Sequence, residues 1–120
     1  MHVTITQRKI EPDILVLKIS GRLTLGRASQ DVESTVDQLM AQNVAKLIFD
    51  LSELTYMDST GLGIVAFCSG KMRKAGKHVR VAGATGTVSE MFSIAGVDKA
   101  LDLVATVDDA VKSLASPPPA

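Results

Sequence analysis

Two segments within the first twenty residues of the chain carry apolar positions with a period of two. In the segment HVTITQRKI, Val3 and Ile5 fall on one side and threonines fall on the other. Such alternation is typical of a strand with one buried face. The segment ILVLKIS repeats the pattern with more apolar residues after Glu11, Pro12 and Asp13, which favour a turn. The two segments therefore predict a β-hairpin.

Beyond the hairpin, strand-like and helix-like segments alternate along the chain. The segment KLIFDLS is a nearly continuous apolar run, which is typical of a strand covered on both faces. In the helical segments, apolar residues recur at spacings of three and four. In chain order, the segments predict an extended RLTLG, a helix capped by Ser29 and running through Met40, the strand KLIFDLS, a helix from Ser59 to about Ala75, the strand KHVRVAG, the helix TVSEMFSIAG, the strand LDLVA and the helix VDDAVKSLA.

This order of elements predicts a single α/β domain. Strands joined through helices pair in parallel, whereas the opening hairpin is antiparallel, so we expect a mixed, mostly parallel sheet. The segments account for about five strands, with four helices packed mainly on one face of the sheet. The domain is predicted to span residues 1–115, and the proline-rich residues 116–120 are predicted to form a flexible tail.

Composition narrows the class of protein. Thirteen Lys and Arg residues balance thirteen Asp and Glu residues, so no net charge would attract nucleic acid or an anionic membrane. One Tyr, three Phe and no Trp are too few for a base-stacking surface. No apolar run approaches the roughly 20 residues of a membrane span, and the single cysteine, Cys68, fits a reducing compartment. We therefore expect a soluble cytoplasmic protein that binds neither nucleic acid nor membranes.

The segment DSTGLG, residues 58–63, lies between a predicted strand and a predicted helix. Asp58 is predicted to cap the helix, which places Ser59 in the first turn with its hydroxyl facing outward. Gly61 and Gly63 would leave the nearby backbone bare and allow close contact with another protein. Because N–H groups at a helix N-terminus tolerate an anion, a phosphate on Ser59 would be accommodated there. The same residues also fit an ordinary helix cap with no further role.

Sites of other kinds receive little support. The segment VRVAGATGTV places glycines between a strand and a helix, as dinucleotide-binding turns do, but Ser89 stands where the third glycine is expected. His2, His78 and Cys68 are scattered without the spacing of metal ligands. The Gly-x-Ser-x-Gly motif of serine hydrolases does not occur. We therefore expect no cofactor, no metal and no enzymatic activity.

Three segments together resemble the STAS domain of bacterial anti-sigma factor antagonists. They are SGRLTL at 20–25, KLIFDLSELTYMDSTGLG at 46–63 and HVRVAGATGTVSEMFSIAGVDKALDL at 78–103. The resemblance implies that Ser59 is phosphorylated by a serine kinase that is also the anti-sigma factor. It implies that the unphosphorylated form binds this kinase and thereby frees a sigma factor, and that a phosphatase removes the phosphate.

The resemblance also implies where the partner docks, namely on the first turn of the helix and on the neighbouring loop that holds Gly21 to Leu25. The partner-binding residues would be Asp58, Ser59, Thr60, Gly61, Leu62 and Gly63, together with Gly21, Arg22 and Thr24. Many relatives carry an acidic residue where Thr24 stands, so this loop departs from the usual pattern. The alternative is a constitutive STAS scaffold or transporter-associated adaptor in which Ser59 is only a helix cap. In both cases we expect a monomer or a weak homodimer.

Overall fold

The computed structural model describes residues 3–115 and contains, within that range, six strands and four helices. The tail predicted at residues 116–120 lies outside the described residues. No helix among residues 3–115 is long and apolar enough to cross a membrane. The elements are β1 (Thr4–Ile10), β2 (Ile14–Leu23), α1 (Arg27–Ala41), β3 (Lys46–Asp50), β4 (Leu54–Met57), α2 (Ser59–Lys74), β5 (His78–Ala82), α3 (Gly86–Ile94), β6 (Leu103–Val104) and α4 (Val107–Ala115).

The sheet is mixed and mostly parallel, as predicted. β1 and β2 form the antiparallel hairpin, with Thr4 opposite Ser20 and Ile10 opposite Ile14. The remaining pairs are parallel, and the strand order is β1-β2-β3-β5-β6, with β4 pairing only with the end of β2. Because β2 and β4 are parallel, the segments that follow them leave the sheet at the same edge. This edge carries the site that the sequence singled out.

β4 is the one strand of the described chain that the sequence did not predict. Its end residues, Leu54 and Met57, are buried, whereas Thr55 and Tyr56 between them are exposed. Two exposed neighbours between two buried ends do not follow the period of two that indicates a strand. β4 exists because it hydrogen-bonds to the end of β2, which runs on to Leu23 and includes part of the segment predicted to be extended.

The helices pack mainly on one face of the sheet. α1, α2 and α3 contribute to the larger hydrophobic cluster, to which Leu47 and Phe49 of β3 also belong. α4 covers the other face, where Ala110 and Leu114 pack in a smaller cluster with Ile48 of β3. Successive residues of β3 therefore enter opposite cores, which confirms the prediction of a strand buried on both faces.

α1 begins earlier than predicted. Its first residue is Arg27, and the cap position is held by Gly26, whose φ of 108° lies in the region that favours glycine. Ser29 lies inside the helix and is buried, and its hydroxyl donates to the Thr24 carbonyl over 2.8 Å. The predicted capping role of Ser29 is therefore wrong. Its hydroxyl instead ties the loop after β2 to the helix that follows.

Candidate functional site

The carboxylate of Asp58 organises the junction between β4 and α2. Oδ1 accepts a hydrogen bond from the Gly61 N–H at 2.8 Å, and Oδ2 accepts one from the Leu25 N–H at 3.0 Å. Both bonds favour the ionised carboxylate and hold the pKa of Asp58 below its usual value. The bond from Gly61 has the larger effect and the bond from Leu25 the smaller. The Asp58 N–H in turn donates to the Leu23 carbonyl over 3.2 Å. Asp58 thus caps α2, as predicted, and also ties the loop after β2 to it.

Ser59 is the first residue of α2 and is exposed. Because Asp58 accepts the capping hydrogen bond, the serine hydroxyl is not needed to begin the helix. The first turn of α2 contains no acidic residue. Within the segment 58–63, the cap residue Asp58 is therefore the one carboxylate that offsets the positive end of the helix dipole. A phosphate on Ser59 would face solvent at this end and would not enter the core.

The segment predicted to form a loop beside the first turn of α2 lies there, but Gly21 and Arg22 belong to β2 and the loop itself begins at Thr24. Gly21 has a φ of 92°, and its N–H donates to the Glu53 carbonyl over 3.1 Å. The Arg22 guanidinium lies over the Tyr56 ring, 4.2 Å from the ring centroid. Thr24 is half-buried and directly follows the last residue of β2. The two segments named by the sequence are therefore neighbours, although more than thirty residues of chain separate them.

The two glycines of the segment differ in their surroundings. Gly61 is buried, and a Cβ atom there would lie 2.4 Å from the Leu23 carbonyl oxygen and 2.9 Å from the Met57 side chain. Gly63 is exposed and has nothing within 4 Å of the corresponding position. Gly61 therefore allows close packing inside this chain rather than contact with another protein. The prediction of a bare backbone is therefore wrong for Gly61, which is buried, whereas Gly63 is exposed.

The remaining residues of the first turn are partly accessible. Thr60 and Leu62 are half-buried, and Leu62 packs against the larger hydrophobic cluster. The Leu62 N–H donates to the Asp58 carbonyl over 3.0 Å, which is the first regular helical bond. Together with Ser59 and Gly63, these residues form a surface of small and partly exposed side chains.

Two exposed apolar side chains lie beside this surface; the resemblance placed Leu25 in the docking loop, whereas the sequence did not single out Tyr56. Leu25 is 75% exposed, and Tyr56 is 41% exposed. Leu25 could be identified from the sequence, because the resemblance assigns its loop to partner docking. Tyr56 could not, because its place depends on the pairing of β4 with β2, where it stands opposite Arg22.

The residues considered for redox, nucleotide-binding or metal-binding roles belong to the packed interior or to turns of the fold. Cys68 is buried, and this burial raises the pKa of its thiol to about 12, so the thiol stays protonated and unreactive at neutral pH. Gly83, in the glycine-containing turn after β5, packs against Ser52. No group of three or more His, Cys, Asp or Glu residues within 3–115 is arranged to hold a metal ion.

Comparison with known proteins places the chain in a family. The model of the STAS domain matches residues 6–110. The anti-sigma-F factor antagonist RsfB of Mycobacterium tuberculosis is 32% identical over 99 residues, covering 82% of this chain and 79% of that protein. The anti-sigma-B factor antagonist of Bacillus subtilis is 27% identical over 112 residues, covering 93% of this chain and 100% of that protein.

A solved structure agrees with the fold. The crystal structure of an anti-sigma factor antagonist from Mycobacterium paratuberculosis superposes with a TM-score of 0.83 at 24% identity, covering 96% of each chain. The chain belongs to the STAS domain family, and its mixed sheet with four helices has the fold of this anti-sigma factor antagonist.

Proposed function

We propose that this protein is an anti-sigma factor antagonist, a cytoplasmic protein-binding module that is not an enzyme. In its unphosphorylated form it binds a serine-kinase anti-sigma factor and so releases a sigma factor for transcription. The kinase phosphorylates Ser59 and thereby ends the binding, and a phosphatase restores the competent form. The names of the relatives in Mycobacterium and Bacillus support the general role.

The exposure of Ser59 is the observation that carries the proposal. Asp58 makes the capping bond and the bond to the loop, so the fold leaves the Ser59 hydroxyl accessible at the helix end. Phosphorylation would add about 1.5 to 2 negative charges. Because the N–H groups of the first turn favour an anion, the phosphorylated protein keeps its fold while its surface changes.

The cost of burying a phosphate is large enough to prevent the partner from binding. A standard protein interface buries about 800 Å² on each partner, which is enough to cover the first turn of α2 and the adjoining loop. Burying an unpaired phosphate in such an interface costs several kcal/mol, and about 1.4 kcal/mol corresponds to a tenfold change in affinity. Phosphorylation would therefore prevent docking without a conformational change.

The site of phosphorylation is tested with purified protein, ATP and candidate serine-kinase anti-sigma factors from the same genome. Mass spectrometry should locate one phosphate on Ser59 in the unmodified chain and in Thr60→Ala. Ser59→Ala should remain unphosphorylated. A phosphate found on Thr60 alone would place the switch on the wrong hydroxyl.

The effect on binding is tested by calorimetry with the same kinase. We expect Ser59→Ala to bind constitutively and Ser59→Asp to bind poorly, while both variants keep melting temperatures close to that of the unmodified protein. Ser34→Asp introduces the same charge at an exposed position of α1 and should bind normally. Equal affinities of Ser59→Ala and Ser59→Asp would instead indicate a constitutive scaffold.

A further inference from the structure

A groove of about 230 Å³ adjoins the proposed docking surface. Arg22, Thr24 and Leu25 line one part of it, and Arg27 and Asp31 of α1 line the other. The Leu25 N–H donates to the Asp58 carboxylate, so the wall of the groove is fixed to the cap of the helix that carries Ser59. A protein that covers Ser59 would therefore also reach this groove.

The groove is positively charged. Arg22 and Arg27 are exposed, and within residues 3–115 neither guanidinium forms an ion pair. Asp31 is the one carboxylate among the lining residues that the structure describes. α1 begins at Arg27 with no acidic residue in its first turn and, among the described residues, no side-chain cap, so its positive helix end adds to the arginines.

Several basic side chains elsewhere differ from these two arginines, because this chain supplies their carboxylate partners. Lys46 pairs with Asp13 at 3.1 Å, and Lys71 pairs with Asp37 at 2.6 Å. The Arg22 guanidinium contacts the Tyr56 ring instead, which fixes its position and leaves its charge uncompensated. A partner with carboxylates would complement the groove.

Exposed apolar side chains border the same groove. Leu25 is 75% exposed and lines it, while Tyr56, at 41% exposure, lies beneath Arg22. Tyr and Arg are enriched among the residues that contribute most to binding at protein interfaces. An apolar anchor beside a positively charged groove fits a protein surface better than it fits a small anion.

We propose that the groove receives an acidic segment of the anti-sigma kinase, whose carboxylates face Arg22 and Arg27 and whose apolar recess takes Leu25. The inference rests on the proposed function and names the chemistry of its partner. It also gives the direction of the switch. A phosphate on Ser59 repels neighbouring carboxylates, whereas it would attract a basic partner. Thr24 is consistent with this, because an acidic residue at that position would oppose an acidic partner.

The test compares charge reversals in calorimetric titrations with the kinase that phosphorylates Ser59. Arg22→Glu and Arg27→Glu should each weaken binding about tenfold. Arg8→Glu makes the same charge change on the exposed part of β1 and should alter binding less than about twofold. Raising NaCl from about 50 to about 500 mM should lower the kinase affinity of the unmodified protein more than that of Arg22→Glu. Salt screens the attraction between Arg22 and the kinase carboxylates, and the variant has already lost that attraction.

A compensating charge reversal on the kinase tests whether its carboxylates face these arginines. A Glu→Arg or Asp→Arg substitution on the kinase should restore the binding of Arg22→Glu or Arg27→Glu. If both arginine variants bind as Arg8→Glu does, or more tightly than the unmodified protein, the acidic partner is refuted although Ser59 is still phosphorylated. If no kinase binds or phosphorylates the chain, the proposed function fails as well. Melting temperatures verify folding, and Arg22→Gln replaces any glutamate variant that unfolds.

Discussion

The two ends of α2 use their polar side chains in opposite ways. At the N-terminal end, Asp58 holds the backbone and leaves Ser59 exposed. At the C-terminal end, Arg73 donates to the Ala100 carbonyl at 2.6 Å and forms an ion pair with Asp102 at 3.0 Å. The Arg73 side chain in the last turn thus holds the segment before β6, whereas the Ser59 side chain in the first turn is exposed. The difference shows that a single capping residue can satisfy the helix end and leave the neighbouring hydroxyl exposed.

The largest effect is expected from the two glycines at the N-terminal end. Gly61→Ala should lower the free energy of unfolding by about 3 kcal/mol, because its Cβ would lie 2.4 Å from the Leu23 carbonyl oxygen. The Leu23 backbone cannot move away without disturbing the hydrogen bond that its carbonyl accepts from the Asp58 N–H. Gly63→Ala has open space and should stabilise α2 by up to about 1 kcal/mol. Urea unfolding measures both, and equal stabilities would contradict the packing assigned to Gly61.

A smaller effect is expected from removing the cap. Asp58→Ala should cost about 1 to 2 kcal/mol at neutral pH, since the bonds to Gly61 and Leu25 are lost. The folded-state pKa of Asp58 is lowered, so its contribution is fully present above the unfolded pKa of about 3.9 and is lost as pH falls through the folded pKa. The difference in melting temperature between the two proteins should therefore shrink below about pH 4.

The control for this pH dependence is Glu90→Ala, which removes an exposed carboxylate on α3. Its melting temperature should follow that of the unmodified protein across the acid range. A difference between Asp58→Ala and the unmodified protein that stays constant down to about pH 2 would show that the carboxylate charge is unimportant to the cap.

The smallest effect is expected at the C-terminal end of α2. Arg73→Ala should cost about 1 kcal/mol, because it removes hydrogen bonds to Ala100 and Asp102 from a partly exposed side chain. Lys74→Ala, at the exposed neighbouring position, should change stability by less than about 0.5 kcal/mol. Kinase binding should be the same for both variants. Weakened binding by Arg73→Ala at unchanged stability would extend the docking surface to this end.

The sequence by itself determined the order of the helices, the order of every strand except β4, and the local structure at Ser59. Alternation of apolar positions identified the hairpin, and the apolar run of β3 identified a strand with two buried faces. Asp58 was recognised as the cap because its hydrogen bond to Gly61 spans only three residues. Interactions of this range depend on neighbouring residues, so a pattern in the sequence is enough to predict them.

Tertiary structure alone decided the rest of the site. β4 forms by pairing with β2, the loop with Leu25 is held by a carboxylate 33 residues away, and Arg22 meets Tyr56 across the same pair of strands. Gly61 is required because Leu23, distant in the chain, passes within contact of it. Such contacts depend on how separate elements come together, which the periodicity of any one segment does not encode. The groove and its charge therefore became visible only once the chain was folded.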